Sequence, residues 1–246
     1  MPNSYDIAII GSGPAGMAAA VTAGKAGASV VVLDDKPRTG GQIYRNVDAS
    51  PLAEPEKLGP DYLKGAQLTA ELADADVDYF SGAQVWHLGD NGELLLSQDG
   101  ETRRLTARQV LVATGAMERP FPIPGWHLPG VMSAGSAQVM LKSDGLVHEN
   151  AIFAGTGPLL YLIVAQYLRL GVKVQAVVDT TPYENYFKAM RYVTGAVRAP
   201  GMLLKGIGLL NEIRKAGVPV YRGASALEVI GTDAAAGLRF QSGGNR

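Results

Sequence analysis

A glycine-rich turn near the amino terminus most constrains how this chain can fold. Residues 5–10 form a short apolar run, which is typical of a buried strand. The turn that follows has the sequence GSGPAG, and the alanine-rich residues 14–26 predict a helix. A second apolar run, rich in β-branched residues, covers residues 29–34. Strand, glycine turn, helix and strand within about 30 residues predict a βαβ unit with parallel strands.

The three glycines of this turn stand at the spacing that dinucleotide sites require. Gly11 would make the tight turn, Gly13 would let the backbone approach a pyrophosphate, and Gly16 would let helix and strand pack closely. The helix amino terminus would offer N–H groups and partial positive charge to the phosphates. Asp34 follows at the end of the second strand, where a carboxylate can accept hydrogen bonds from a ribose. Asp35 is the alternative acid, or else a solvated surface charge.

The same pattern occurs a second time, at a constant offset of 144 residues. Residues 150–154 predict a strand, residues 159–170 an apolar helix and residues 172–178 another strand. Gly155, Gly157, Pro158 and Gly171 match Gly11, Gly13, Pro14 and Gly27. An internal repeat of this kind predicts two related nucleotide-type domains.

The second copy departs from the first at two positions. Leu160 replaces the third glycine, and the position equivalent to the first acid is Val178, with Asp179 one residue later. Gly155, Gly157, Pro158 and Asp179 are therefore candidates for a second nucleotide site, for NAD(P)H or another adenine nucleotide. The other interpretation is a vestigial domain that binds no nucleotide.

The rest of the chain predicts an α/β protein of two Rossmann-like domains, with parallel sheets and antiparallel meanders. Residues 35–60 predict a long loop, residues 61–75 a helix and residues 133–144 another helix. Turn signals within residues 77–106 favour an antiparallel meander, and residues 109–113 predict a further buried strand. The expected domains cover residues 1–116 and residues 117–246.

Composition excludes several classes of function. The formal net charge is −1, so the chain has no basic field for nucleic acid. The 246 residues contain no cysteine, which excludes a thiolate nucleophile, a redox dithiol or a Cys-ligated cluster within them. The three histidines show no metal-site spacing, so no metal is expected. No targeting segment or apolar run of about 20 residues occurs, and a cytoplasmic location is expected.

Three segments of the sequence carry a family resemblance. The pattern GxGxxGxxxAxxxxxxG at residues 11–27 resembles the amino-terminal FAD site of flavoproteins with two dinucleotide-binding domains. Ala113, Thr114 and Gly115 resemble a second FAD-contacting motif of these proteins. The segments GGQIYR at 40–45 and GAMERP at 115–120 resemble the larger, FAD-binding subunits of heteromeric amine and amino-acid dehydrogenases. That group includes opine oxidases, proline and hydroxyproline dehydrogenases, and hydrogen cyanide synthase.

The resemblance covers essentially the whole chain and implies an extended FAD in the first domain. It implies that the second domain is inserted in the first. The residues it assigns to FAD are Gly11, Gly13, Pro14, Ala15 and Gly16 at the pyrophosphate, Asp34 at the ribose, Gly41 and Gln42 toward the flavin, the Val85 backbone at the adenine, and Ala113, Thr114 and Gly115 beneath the dinucleotide. Nothing after residue 231 resembles the return of the chain to the FAD domain. A truncated chain, a fragment or part of a split protein is therefore expected.

The resemblance also implies the type of activity. Such subunits relay electrons while a partner subunit with its own flavin oxidises a small amine or amino acid, so a hetero-oligomer is expected. No residue of this chain is a convincing general base, and no catalytic residue is assigned. Two alternatives stay open, namely an NAD(P)H-dependent flavin reductase without a dithiol and a non-catalytic nucleotide-binding scaffold.

Overall fold

The computed structural model describes residues 3–119, 121–192, 195, 198 and 200–242 of the chain. It contains two compact units, one of residues 1–117 with 142–145 and one of residues 118–141 with 146–246. Pro120, the last residue of the GAMERP segment, lies outside the described residues.

The first unit is built on a six-stranded sheet. Its elements are β1 (Ser4–Ile10), α1 (Pro14–Lys25), β2 (Val30–Asp34), a 3₁₀ turn (Pro55–Leu58), α2 (Pro60–Ala73), β3 (Asp78–Ser81), β4 (Gln84–Leu88), β5 (Glu93–Gln98) and β6 (Glu101–Val112). The strand order is β3-β2-β1-β6-β5-β4. Strands β1 and β2 are parallel with α1 between them, so the predicted βαβ unit is confirmed.

The predicted antiparallel meander is partly wrong. Strand β3 pairs with β2 in parallel and so extends the nucleotide-type sheet. Strand β6 runs without interruption from residue 101 to residue 112, so the separately predicted strand at 109–113 is its second half. Its first half pairs antiparallel with β5, and its second half pairs parallel with β1. Turn residues indicate where a strand ends, but they do not specify its partner.

Alternate side chains of the central strands pack on opposite faces of the sheet, as the two-residue period of a strand requires. One face places Ile9, Val30 and Val32 against Met17 and other residues of α1 and α2. The other face buries Ala8, Val31 and Leu33 together with residues of β3 to β6. Because both faces are covered, β1 and β2 are apolar throughout.

The second unit repeats the strand–helix–strand arrangement. Its elements are α3 (Ala134–Asp144), whose last three residues group with the first unit, β7 (Ala151–Gly155), α4 (Pro158–Arg169), β8 (Val174–Asp179), α5 (Tyr183–Ala189), a 3₁₀ turn (Met190–Tyr192), α6 (Pro200–Lys215), β9 (Val220–Arg222), β10 (Ser225–Gly231) and β11 (Ala235–Gln241). Strands β7, β8 and β9 form a parallel sheet, and β10 and β11 form an antiparallel hairpin. The second predicted βαβ unit is thus confirmed. Among the described helices, none has the length and apolar character that crossing a membrane needs.

Candidate functional site

The glycine turn between β1 and α1 is closely packed, and two of its glycines are required by sterics. Gly11 has φ +106°, and a β-carbon there would overlap the carbonyl oxygen of Ala113. A β-carbon on Gly16 would overlap the carbonyl oxygen of Gly11. These contacts explain why the turn needs glycine at both positions, as the sequence predicted.

Gly13 differs from these two glycines because its surroundings are open. It has φ −70° and ψ −179°, a conformation that any residue can adopt. The nearest atom to a β-carbon there would be the Cα of Gly41, at 3.9 Å. Gly13 caps α1, no side chain caps the helix, and no acidic residue occupies the first turn. The N–H groups at this helix end are therefore available to an anion.

Asp34 lies buried beside this turn. Its Oδ2 accepts hydrogen bonds from both the backbone N–H and the hydroxyl of Ser12, each at 2.6 Å. Its Oδ1 accepts the N–H of Lys36 at 2.8 Å. An ionised carboxylate has about four acceptor positions, so roughly one stays available for a ligand hydroxyl. Asp35 instead has an exposed side chain that pairs with Lys36.

We expect Asp34→Asn to weaken FAD binding by about 1–3 kcal/mol, roughly tenfold to a hundredfold, through loss of a charged acceptor. The matched control is Asp35→Asn, which removes an exposed carboxylate one residue away and should leave the affinity unchanged. Titration of each variant with FAD, followed by flavin fluorescence, measures the difference. An effect confined to Asp35→Asn would move the role to that residue.

The loop after β2 and the end of β6 both contact the glycine turn. The N–H of Gly40 donates to the carbonyl oxygen of Ser12 at 2.9 Å. A β-carbon on Gly41 would lie 2.8 Å from the Cα of Gly13. The N–H of Ala113 donates to Ile10 at 2.8 Å. The structure therefore brings together the residues predicted at the pyrophosphate, ribose and strand-end positions.

The other predicted residues lie at the margins of this cluster. The exposed Gln42 donates its amide to the carbonyl oxygen of Ala116 at 3.3 Å. Thr114 lies next to Gly11, and Gly115 has φ +77°. Val85 lies in β4, where it pairs with Leu96 and packs partly buried against the core.

Lys142 is a residue of this region that the sequence prediction missed. Its side chain is only 4% exposed. Its ammonium donates to the carbonyl oxygens of Gln42 at 3.1 Å and Ile43 at 2.9 Å. Burial, with a smaller contribution from the charge of Arg45, lowers the pKa of Lys142 from 10.5 to about 8. The only sequence signal is a lysine at the end of a helix, which usually indicates a solvated position.

The lowered pKa of Lys142 predicts a pH dependence of stability. Between about pH 8 and 10.5 the unfolded chain holds a proton at Lys142 that the folded chain has lost. The free energy of unfolding should therefore rise with pH across this interval. We expect Lys142→Met to flatten that rise in urea titrations from pH 7.5 to 10. Lys25→Met, at an exposed lysine, should keep the wild-type slope, and equal slopes in both variants would contradict the assignment.

The second glycine turn has its acid at the equivalent place, contrary to the sequence alignment. The ladder of β7 and β8 shifts between Ala151 and Ile152, so β8 has one extra residue, Gln175. Because of this bulge, Asp179 pairs with Gly155 and not with a neighbour. Thr181 N–H donates to Asp179 at 2.8 Å, as Lys36 N–H does to Asp34. The predicted displacement of the acid is thus wrong in three dimensions.

The two acids nevertheless have different surroundings. Asp179 Oδ2 accepts the hydroxyls of Tyr161 at 2.5 Å and Tyr186 at 3.0 Å. Burial alone would raise the pKa of Asp179, but the hydrogen bonds from Thr181 and the two tyrosines hold it below its ordinary value. Leu160, in place of the third glycine, is buried. Gly157 and Pro158 still form the start of α4.

Two parallel-sheet units, each with a glycine turn leading into a helix, are typical of oxidoreductases that bind dinucleotides. The chain belongs to the pyridine nucleotide-disulphide oxidoreductase family, whose sequence model matches residues 5–184. The solved structure of T. acidophilum thioredoxin reductase superposes with a TM-score of 0.62 at 20% identity. It covers 98% of this chain and 71% of that chain, and the likeness concerns the fold.

Two curated relatives refine this placement. One of them, the opine oxidase A-type polypeptide of Agrobacterium tumefaciens (strain Ach5), is 41% identical, over 97% of this chain and 49% of that protein. The hydrogen cyanide synthase subunit HcnB of Pseudomonas aeruginosa is 32% identical, over 91% of this chain and 48% of that protein. The chain thus spans about half the length of the curated relatives it matches. The resemblance inferred from the sequence is confirmed.

Proposed function

We propose that the first unit binds FAD and that the chain is the FAD-binding part of an oxidoreductase. The observation that carries this proposal is the open backbone of Gly13 at the uncapped start of α1, with Asp34 buried beside it. Gly11 and Gly16 bring strand and helix close enough for phosphates to meet the helix N–H groups. Asp34 would accept a ribose hydroxyl at its remaining acceptor position.

Each remaining residue of the site has a supporting task. Gly41 would follow the pyrophosphate, and Gln42 would lie toward the flavin ring. Lys142 would hold the carbonyl groups of Gln42 and Ile43 in place. When bound, FAD supplies the redox chemistry, since its flavin accepts and passes on electrons. The protein would position it and set the charge around it.

The reaction we propose is the oxidation of an amine or amino acid, of the opine, proline or hydroxyproline type, together with a partner subunit. The relatives named as subunits of opine oxidase and hydrogen cyanide synthase support this reaction class. In this scheme the partner removes electrons from the substrate, and the FAD of this chain relays them. The protein would then be a hetero-oligomer.

An absorption spectrum of the purified chain, with and without added FAD and after gel filtration, tests the cofactor assignment. Bands near ~450 nm that stay with the protein would support it. Binding of ADP or ATP without any retained flavin would instead favour the nucleotide-binding scaffold. Anaerobic addition of proline, hydroxyproline or an opine to the chain alone should leave the flavin oxidised. Reduction by one of these substrates without a partner would contradict the proposed division of labour.

The second unit gives weaker support to an NAD(P)H site. A ribose at Asp179 would have to displace the hydroxyls of Tyr161 and Tyr186 from its carboxylate. We therefore expect anaerobic NADH or NADPH to leave bound FAD oxidised, while dithionite bleaches it. Bleaching near ~450 nm by either nicotinamide nucleotide would favour the flavin reductase.

A further inference from the structure

A cavity of about 260 Å³ lies beside the loop after β2, within the first unit. Three basic side chains line it, from Lys36, Arg38 and Arg45, together with the acid Asp144. Of the residues assigned to the dinucleotide, Gly41 alone is among the described lining residues. The glycine turn itself does not contribute to the described lining. The cavity is therefore a separate space next to the dinucleotide cluster.

The three basic residues differ in how their charge is balanced. Lys36 pairs with Asp35 at 2.7 Å, and Arg38 pairs with Asp48 at 3.6 Å. The Nε of Arg45 is buried, and within the described part of the chain it has no hydrogen-bond partner. A buried donor without an acceptor costs roughly 1–3 kcal/mol, and more when the group is charged. Arg45 is thus the side chain that most needs an acceptor.

A second buried cation intensifies this imbalance. Lys142 lies close enough to Arg45 for that charge to lower its pKa, and burial lowers the pKa further. Both hydrogen bonds of the Lys142 ammonium go to neutral carbonyl groups. Two positive charges therefore share a desolvated region, and a negative charge in the adjoining cavity would stabilise both.

We propose that this cavity binds a small oxyanion, a free phosphate or carboxylate, and that Arg45 is its anchor. The planar guanidinium matches the paired oxygens of such groups. The volume lies below the ~300–1,000 Å³ of pockets for larger ligands, so the cavity suits a small anion and not a dinucleotide. The site goes beyond the proposed FAD site and does not depend on it.

Titration of the purified chain with inorganic phosphate and with succinate, at constant ionic strength set by chloride, tests this site. Calorimetry should show saturable binding of at least one of the two anions. Arg45→Met should weaken it at least about tenfold, and Arg45→Lys should fall between that variant and the wild type. The Tyr62 hydroxyl bonds to the main-chain oxygen of Arg45 at 2.8 Å, so the loop contact survives either change.

Arg108→Met is the matched control, because Arg108 lies exposed on β6 and pairs with Asp6. It should bind the anion as the wild type does. Repeating the titration with saturating FAD tests whether the sites are separate, and the anion affinity should be retained. Unchanged binding in Arg45→Met, no binding beyond chloride, or loss of binding when FAD is added would each overturn the proposal.

Discussion

Gly13→Ala is expected to fold normally and to lose bound FAD. The backbone of Gly13 has an ordinary conformation, and a β-carbon there would meet only the Cα of Gly41 among the described atoms, at 3.9 Å. The fold therefore tolerates the methyl group. A pyrophosphate, however, must approach this backbone to reach the N–H groups of α1. We expect the affinity for FAD to fall at least about tenfold, a change of roughly 1.4 kcal/mol or more.

Flavin absorbance after gel filtration and fluorescence titration measure this loss, while circular dichroism and urea unfolding report the fold. The matched control is Gly24→Ala, which adds the same methyl group near the other end of α1. It should keep full FAD binding. A Gly13→Ala protein that retains FAD would show that phosphates do not approach at Gly13, and an unfolded one would contradict the clearance around it.

The first βαβ unit could be predicted from sequence because its constraints are local. Gly11 and Gly16 are needed where a β-carbon would strike backbone atoms, and such positions leave a clear mark in the sequence. Residues 30–34 are buried on both faces of the sheet, which explains their uninterrupted apolar character. Asp34 was predicted as the acid for the same reason, since it directly ends that strand.

Strand partners could not be predicted, because pairing depends on distant residues. Strand β3 was placed in a meander, yet it pairs in parallel with β2. The bulge at Gln175 is a similar case, since one inserted residue shifts the alignment of Asp179 without changing its place beside Gly155. Comparing turn residues at a fixed offset therefore misplaced an acid that the sheet register restores.

Lys142 and Arg45 show a second limit of sequence interpretation. They lie far apart in the chain, and each is a basic residue of a kind that is normally solvated. Their burial depends on how the loop after β2 folds against the last turn of α3, where Asn46 also donates to the carbonyl oxygen of Ser143 at 3.2 Å. No local pattern encodes such a meeting. The charge environment of the site therefore became visible only in three dimensions.

Gly16→Ala is expected to destabilise the first unit by about 3 kcal/mol or more. Its β-carbon would overlap the carbonyl oxygen of Gly11, so α1 must move away from β1. That movement would open the core cluster in which Met17 and Val21 of α1 pack against Ile9. Overpacking a core costs about 1–3 kcal/mol, and rigid backbone can yield less than a side chain.

Urea unfolding of Gly16→Ala, followed by circular dichroism, gives the change in unfolding free energy. Gly24→Ala again serves as the control, since its new β-carbon would lie 3.0 Å from Cγ1 of Val77, a side chain that can move. Replacing glycine by alanine inside a helix also stabilises by roughly 0.5–1 kcal/mol, which offsets that contact. Gly24→Ala should therefore stay close to the wild type. Equal stability of the two variants would mean that helix and strand are not held together at Gly16.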